Sequence, residues 1–117
     1  MVKFSVLIKR KPGMTVEQFR HYWLEQHGPL VRSVPEFMRH IARYDQCYPR
    51  LEDWNEFPGM EPAYDGIAEL WAESFDALRT AFAEPRYLEL IRPDEAKFAD
   101  LANCRFLVCD VVEAGRR

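Results

Sequence analysis

Residues 2–29 read VKFSVLIKRKPGMTVEQFRHYWLEQHGP, and the start of the fold can be predicted from this stretch. Its first eight residues alternate between apolar and polar side chains, which predicts a β-strand. The Pro-Gly pair at 12–13 indicates a turn. Thr15 and Gln18 have the spacing of a capping box, so a helix is expected to begin at Thr15. Gly28-Pro29 predicts that this helix ends or bends sharply there.

The remaining patterns predict three more strands and a second helical region. Residues 37–48 alternate like a strand, and residues 66–72 are expected to form a short, mostly apolar strand. Residues 104–112 are expected to form a last strand that is buried on both sides apart from Arg105 and Asp110. Ser74 is a candidate N-cap for a second helix. The order β-α-β-β-α-β predicts an α+β fold of the ferredoxin-like, split βαβ type, with a four-stranded antiparallel sheet and both helices on one face.

Strands with large or apolar side chains on both faces predict a homodimer. A ferredoxin-like sheet has helices on one face only, so the other face of these strands needs a different cover. A second copy of the chain would supply that cover. We therefore expect two sheets to pack face to face.

Composition and charge exclude several classes of protein. The chain has 117 residues, 16 Lys and Arg against 19 Asp and Glu, and a net charge of −3. This balance lacks the basic excess of proteins that bind nucleic acid or anionic membranes. The three cysteines have no CxxC spacing, which argues against a zinc knuckle or a disulfide framework. We expect one cytoplasmic domain over residues 1–117, with no nucleic-acid partner and no membrane partner.

Residues 49–65 are a long stretch rich in proline and carboxylates, with no helical or strand period. A loop of this length in a small domain is often a lid or a binding loop. A solvated excursion is an equally good interpretation, and both stay open.

Histidines are the main candidates for acid–base chemistry. His27 continues the apolar stripe of Phe19 and Trp23. It could cap the end of the helix, or it could face an apolar cavity as a general acid or base. His40 would share a strand face with Tyr44, where the two could orient a hydroxyl or carbonyl group of an aromatic ligand. They could equally form a hydrogen-bonded pair at a dimer interface.

Other motifs and residues limit the choice of chemistry. Gly-rich phosphate loops, the GxSxG elbow and the HExxH zinc motif are absent from the sequence, so we expect no cofactor and no metal site. His21 falls off the apolar stripe and should lie at the surface. Glu69 sits between apolar residues of a strand, and we favour an ion pair with an arginine such as Arg39 or Arg43 over a catalytic acid.

Three segments resemble the EthD family: residues 4–31, FSVLIKRKPGMTVEQFRHYWLEQHGPLV; residues 64–74, YDGIAELWAES; and residues 93–100, PDEAKFAD. The resemblance implies the dimeric α+β barrel superfamily, in agreement with the dimer expected from the two-sided strands. It also implies a pocket in each protomer between sheet and helices. His27 corresponds to the histidine of the family's H-x-P-L motif, and Trp71 and Phe98 match aromatic positions of its other motifs.

The same resemblance implies a range of activities, since EthD-like proteins and related barrels include polyketide cyclases, dehydratases, decarboxylases and lactone isomerases. We expect a cofactor-independent lyase or isomerase that moves protons on a hydrophobic, oxygenated ring of a lactone or polyketide type. His27 would be the general acid or base, with Tyr44 and His40 holding the substrate oxygen. Aromatic side chains would bind the substrate: Tyr22, Trp23, Trp71 and Phe98. The alternatives are an accessory protein that binds an aromatic ligand without turnover, and a cofactor-free monooxygenase.

Overall fold

A computed structural model describes residues 1–53, 56–59 and 62–117. Its centre is a four-stranded antiparallel sheet in the order β2-β3-β1-β4, with helices packed on one face. The strands are β1 Val2–Ile8, β2 Arg43–Cys47, β3 Gly66–Ala72 and β4 Arg105–Asp110. The predicted α+β, ferredoxin-like fold is confirmed.

The helical segments are short and follow one another closely. They are α1 Val16–Tyr22, α2 Gly28–Arg32, α3 Pro35–Met38, α4 Phe75–Ala83 and α5 Arg92–Glu95, with π-helical turns at Trp23–His27 and Tyr87–Ile91 and a 3₁₀ turn at Leu101–Asn103. The capping box predicted at the start of α1 is present. Thr15 Oγ1 accepts from the backbone N–H of Gln18 at 3.1 Å, and the Gln18 side chain accepts from the backbone N–H of Thr15 at 2.9 Å.

Gly28-Pro29 was predicted to end or sharply bend the first helix, and the first of these two alternatives is wrong. Helical backbone continues through the π-helical turn into α2, because the Gly28 N–H bonds to the carbonyl of Trp23, five residues back. In a regular α-helix the N–H of residue 29 would bond to residue 25, and proline has no N–H to give. The wider turn places Pro29 near the start of α2, where a missing donor is tolerated.

The predicted strand over residues 37–48 is confirmed only in its second half, as β2. Its first residues form the end of α3, which begins at Pro35, a favoured first helical residue. Phe37 is buried within this helical turn, and Ile41, which is also buried, follows it before β2 begins. His40 therefore lies before β2, not on it.

The core lies between the sheet and the helices, and four side chains in it are almost completely buried: Phe19, Trp23, Phe37 and Ile91. Along β3, residues 66, 68, 70 and 72 point towards the helices, whereas Glu69 and Trp71 are on the opposite face. There Glu69 pairs with Lys3 at 2.6 Å. The expected ion pair is present, although its partner is a lysine and not Arg39 or Arg43.

Two further expectations concern regions outside the core. The interpretation of residues 49–65 as a lid depends in part on residues 54–55 and 60–61, which lie outside the described residues. In the described part of the chain, no helix combines the length and the apolar character needed to cross a bilayer.

Candidate active site

A cavity of about 180 Å³ lies between the inner face of the sheet and the helices. Its walls are largely apolar, with rings and aliphatic chains from both layers. Four side chains with polar ends also line it: His27, Tyr44, Tyr87 and Glu95. Phe106 and Leu101 line the cavity and are themselves exposed, which places its mouth beside β4. An apolar cavity with a few polar groups is the usual form of a small-molecule site.

Both π-helical turns position side chains of this cavity. The turn Trp23–His27 supplies its first and last residues to the wall, and so does the turn Tyr87–Ile91. Each precedes an X-Pro pair, at Pro29 and at Pro93, and in each the next N–H bonds five residues back. Single π-helical turns in proteins often occur at functional sites. In this fold each π-helical turn lets the helical backbone continue into a segment that contains proline, while the first and last residues of the turn line the cavity.

The imidazole ring of His27 contacts the carboxylate of Asp94. Both side chains are 8% exposed, and His27 Nδ1 lies 2.9 Å from Asp94 Oδ2. The Tyr22 hydroxyl donates to the other carboxylate oxygen, Oδ1, at 2.5 Å. Lys97 Nζ stands 3.6 Å from Oδ1 and is mostly exposed. Within the described residues, His27 Nε2 has no hydrogen-bond partner, and the ring lines the cavity.

The ionisation of this group follows from its burial and its contacts. Burial lowers the pKa of His27, against the hydrogen bond and the charge of Asp94, which raise it. Burial alone would raise the pKa of Asp94, but the hydrogen bonds from Tyr22 and His27 outweigh it and hold that pKa below its usual value. Burial and the contact with Asp94 raise the pKa of Tyr22 to about 12. The favoured state is therefore an ionised Asp94 beside a neutral His27.

Tyr44 reaches the cavity from β2. Its hydroxyl oxygen accepts a hydrogen bond from Gln46 Nε2 at 2.9 Å, and the same amide nitrogen donates to the carbonyl of Trp23 at 2.8 Å. Burial raises the pKa of Tyr44 to about 12, so the phenol keeps its proton. Since the hydroxyl accepts from Gln46, its own hydrogen is left for an oxygen atom in the cavity.

Glu95 and Tyr87 form a second polar contact in the cavity wall. The Tyr87 hydroxyl donates to Glu95 Oε2 at 2.9 Å. Burial raises the pKa of Glu95, more than the hydrogen bond from Tyr87 and the charge of Arg92 lower it. A carboxyl group with a raised pKa in an apolar cavity is a typical feature of catalytic sites.

The structure brings together only some of the side chains predicted for the site. His27, Tyr44, Trp23 and Phe98 line the cavity. Tyr22 lies behind it, bonded to Asp94, with its ring stacked on Phe98 at a centroid distance of 5.7 Å.

Two predicted site residues lie elsewhere. His40 does not line the cavity, since its Nε2 contacts Glu84 Oε1 at 2.9 Å, at the end of α4. The reason is that the first residues of the predicted strand 37–48 form the end of α3, so His40 lies before β2. Trp71 is on the outer face of the sheet, where Lys3 and Arg43 lie over its ring at 5.6 and 5.0 Å. The placement of both residues in the pocket was wrong.

Asp94 and Glu95 were missed as individual residues. The available signal was the pair of adjacent carboxylates in PDEAKFAD at 93–100, a segment of which only Phe98 was predicted to bind the substrate. Nothing in the local pattern shows that the first carboxylate meets a histidine 67 residues away. Among the described residues, no group of three His, Cys, Asp or Glu side chains is arranged to hold a metal ion.

Two fungal proteins are similar in sequence to this chain. The "Conidial pigment biosynthesis dehydratase EthD" of Metarhizium robertsii is 30% identical over 102 residues, which cover 80% of this chain and 70% of the relative. "Dehydratase ustZ" of Ustilaginoidea virens is 26% identical over 110 residues, covering 89% and 79% of the two chains. These names support an enzyme of the lyase type, since a dehydratase is a lyase.

Solved structures resemble the fold. An EthD family protein of Bacillus halodurans superposes with a TM-score of 0.71 at 17% identity, covering 96% of this chain and 99% of that one. A dimeric protein with a ferredoxin-like fold from Bacteroides fragilis gives a TM-score of 0.64 at 14% identity, with 94% and 95% covered. The model of the EthD domain matches residues 11–102, well over half of the sequence. The chain therefore belongs to the EthD family.

Proposed function

We propose that the protein is a dehydratase that removes water from a cyclic β-hydroxy ketone without a cofactor. His27 is the base that removes the proton next to the carbonyl group. The observation that carries the proposal is the position of this histidine, which contacts a buried carboxylate at one ring nitrogen and faces an apolar cavity with the other. The names of the similar fungal proteins support the reaction type.

The Asp94 contact sets which nitrogen of His27 can act. An ionised carboxylate only accepts hydrogen bonds, so Nδ1 carries the hydrogen and Nε2 keeps its lone pair. The lowered pKa of His27 keeps the ring neutral near pH 7, in the form that can take a proton. When the proton is taken, the charge on the ring is balanced by Asp94.

Tyr44 supports the developing charge on the substrate oxygen. Removing a proton next to a carbonyl group places negative charge on that oxygen, and a donor fixed in advance stabilises it. The Tyr44 hydroxyl is oriented by Gln46 and has its hydrogen available for the cavity. His40 has no part in this proposal.

The cavity limits the size of the substrate. An apolar cavity of about 150 Å³ in another protein is known to hold benzene. The 180 Å³ found here accommodates the reacting ring, and a larger ring system would extend through the mouth beside β4. The apolar walls favour an uncharged, oxygenated ring over a sugar or a phosphate ester.

The test uses 3-hydroxy-1-tetralone, which loses water to give 1-naphthol, and the single-ring 3-hydroxycyclohexanone. Wild-type protein should convert at least one of them, and His27→Gln should lower the rate by about a hundred- to ten-thousand-fold. His21→Gln is the matched control, since this histidine is exposed. A loss below tenfold in His27→Gln, or wild-type protein that leaves both ketones unchanged, would overturn the proposal.

We also propose that the protein acts as a homodimer built on its sheet. All six residues of β4 are exposed in the single chain, and Phe106, Leu107 and Val108 are 54%, 54% and 47% exposed. Consecutive apolar residues put apolar surface on both faces of the strand, which is unusual for a monomer. The dimeric protein from Bacteroides fragilis with the same fold supports this assembly.

A further inference from the structure

We propose that Glu95 is the general acid of the reaction and gives its proton to the departing hydroxyl group. This inference rests on the proposed dehydratase function and adds the second catalytic residue that the reaction requires. Its basis is the position of the carboxyl group in the cavity wall and the partners that surround it.

Glu95 and Asp94 are adjacent in α5 but serve different sides of the site. Successive residues of a helix point in directions about 100° apart. Asp94 points to His27 and Tyr22, behind the base, whereas Glu95 lines the cavity and contacts Tyr87. One turn of helix therefore supplies both the support of the base and a separate carboxyl group inside the cavity.

The surroundings of Glu95 compensate a negative charge only in part. Across residues 1–53, 56–59 and 62–117, no lysine, arginine or histidine nitrogen lies within salt-bridge distance of its carboxyl group. Other titratable groups near it are Tyr87, Tyr44 and Cys104, which are neutral, together with Arg92 and Asp94 in its own segment. Burial of a carboxyl group without a paired cation in an apolar cavity shifts its equilibrium towards the protonated form.

The hydrogen-bond pattern leaves the acidic proton available. The Tyr87 hydroxyl donates to Oε2, which a protonated carboxyl group can still accept. Oε1 has no hydrogen-bond partner in the described part of the chain. Tyr87 itself is buried against Phe37 and Phe82, so its ring is fixed and orients the carboxyl group.

The two proton-transfer groups complete a balanced dehydration. His27 Nε2 takes the proton from the carbon next to the carbonyl group, and the electron pair of that C–H bond forms the new C=C bond. The C–O bond of the β-hydroxyl group breaks, and its oxygen leaves as water with the proton of Glu95. One proton then returns from the imidazolium to the carboxylate, which restores both groups for the next turnover.

A change of leaving group tests this role directly. Hydroxide must be protonated to leave, whereas acetate leaves readily without a proton. Glu95→Gln should lose about a hundred- to ten-thousand-fold on 3-hydroxy-1-tetralone and recover most of that loss on 3-acetoxy-1-tetralone. His27→Gln should lose activity on both ketones, since each needs its carbon-bound proton removed. Glu84→Gln is the matched control, because this residue pairs with His40 away from the cavity.

Each result has a definite meaning. Equal losses of Glu95→Gln on the two ketones, or wild-type rates on both, would overturn the assignment of Glu95 while the dehydratase function stands. Wild-type protein inactive on both 3-hydroxy-1-tetralone and 3-hydroxycyclohexanone would overturn the dehydratase function and this inference with it. Glu95→Asp and a thermal melt separate loss of the acid from loss of the fold, since the aspartate keeps a carboxyl group and should retain more activity than the glutamine.

Discussion

His27 Nδ1 and Asp94 Oδ2 lie 2.9 Å apart in a buried contact between two parts of the chain separated by 67 residues. Two helical segments, each containing an X-Pro pair, bring them together. The Tyr22 hydroxyl donates a hydrogen bond to the same carboxylate. The contact orients the imidazole and leaves one nitrogen facing the cavity, so several properties of the proposed enzyme depend on it.

Asp94→Asn should lower turnover of the hydroxy ketone by at least about a hundredfold. An amide can donate a hydrogen bond to Nδ1, which would move the ring hydrogen to Nε2 and block the base. Nitrogen NMR of labelled His27 would report the change of tautomer. Asp100→Asn is a suitable control, because Asp100 contacts Asn103 and lies outside the cavity wall. Unchanged turnover in Asp94→Asn would contradict the proposed role of the contact.

Wild-type activity should fall as the pH falls through the pKa of His27, which burial holds below the usual value of about 6.5. The protonated ring cannot act as a base, so the loss is on the acid side. The contribution of His27 to the free energy of unfolding changes with pH in the same direction. Between the folded and unfolded pKa values of this histidine the unfolded chain binds more protons, so its contribution to stability also declines as the pH falls.

Tyr22→Phe should move the acid limb of the pH profile to higher pH. Without the Tyr22 hydroxyl, Asp94 loses a donor that disperses its charge, and the remaining charge favours the protonated ring of His27. Lys97, the other cation beside Asp94, is exposed and should change this little. The measurement is kcat/KM against pH, with Tyr64→Phe as control. If the acid limb lay at the same pH in wild-type protein and in Tyr22→Phe, Tyr22 would not act on His27 through Asp94.

Gly66→Ala should lower the free energy of unfolding by about 1–3 kcal/mol. A Cβ atom at residue 66 would lie 2.6 Å from Cζ3 and 2.8 Å from Cη2 of Trp23, a buried ring that also forms part of the cavity wall. Urea denaturation measures the change. Gly115→Ala is the control, since nothing lies within 4 Å of its added carbon. Equal stability of the two variants would show that Trp23 can move aside.

Patterns of short range were sufficient to predict the fold. The strand β1, the capping box at Thr15 and the N-cap at Ser74 were predicted from local patterns, and each forms in the structure. The error in the secondary structure arose where a few residues fit both the two-residue period of a strand and the period of a helix. Phe37 and Met38 fit a strand by alternation, but the proline two residues earlier starts a helical turn instead.

The site was less predictable than the fold because its contacts are distant in sequence. His27 was found from its place on the apolar stripe of the first helix, and Tyr44 from its place on a strand. Asp94 and Glu95 acquire their roles only through contacts with His27 and Tyr87, and a single sequence does not show those contacts. Trp71 was assigned to the site because it matches an aromatic position of the family, and that match does not show which face of β3 carries it.

His40→Gln should leave turnover essentially at the wild-type level, because the ring contacts Glu84 and not the cavity. Its partly exposed contact with Glu84 should contribute little to stability. Steady-state kinetics beside a urea melt would test both statements. A large loss of turnover with normal stability would mean that His40 acts in catalysis, which would contradict its position beside Glu84 outside the cavity.

Leu107→Lys should convert the proposed dimer into a monomer. Leu107 is 54% exposed in the single chain and alternates with Phe106, so it points away from the helices towards the expected partner sheet. A lysine there would carry a charge into the proposed interface, where no described residue of β4 offers a carboxylate on the same face. Native mass spectrometry measures the assembly, and Leu24→Lys, on an exposed helical position, controls for the added charge. If Leu107→Lys remained dimeric, the partner would have to be bound through another surface. If wild-type protein were already monomeric, the apolar surface of β4 would need a different explanation.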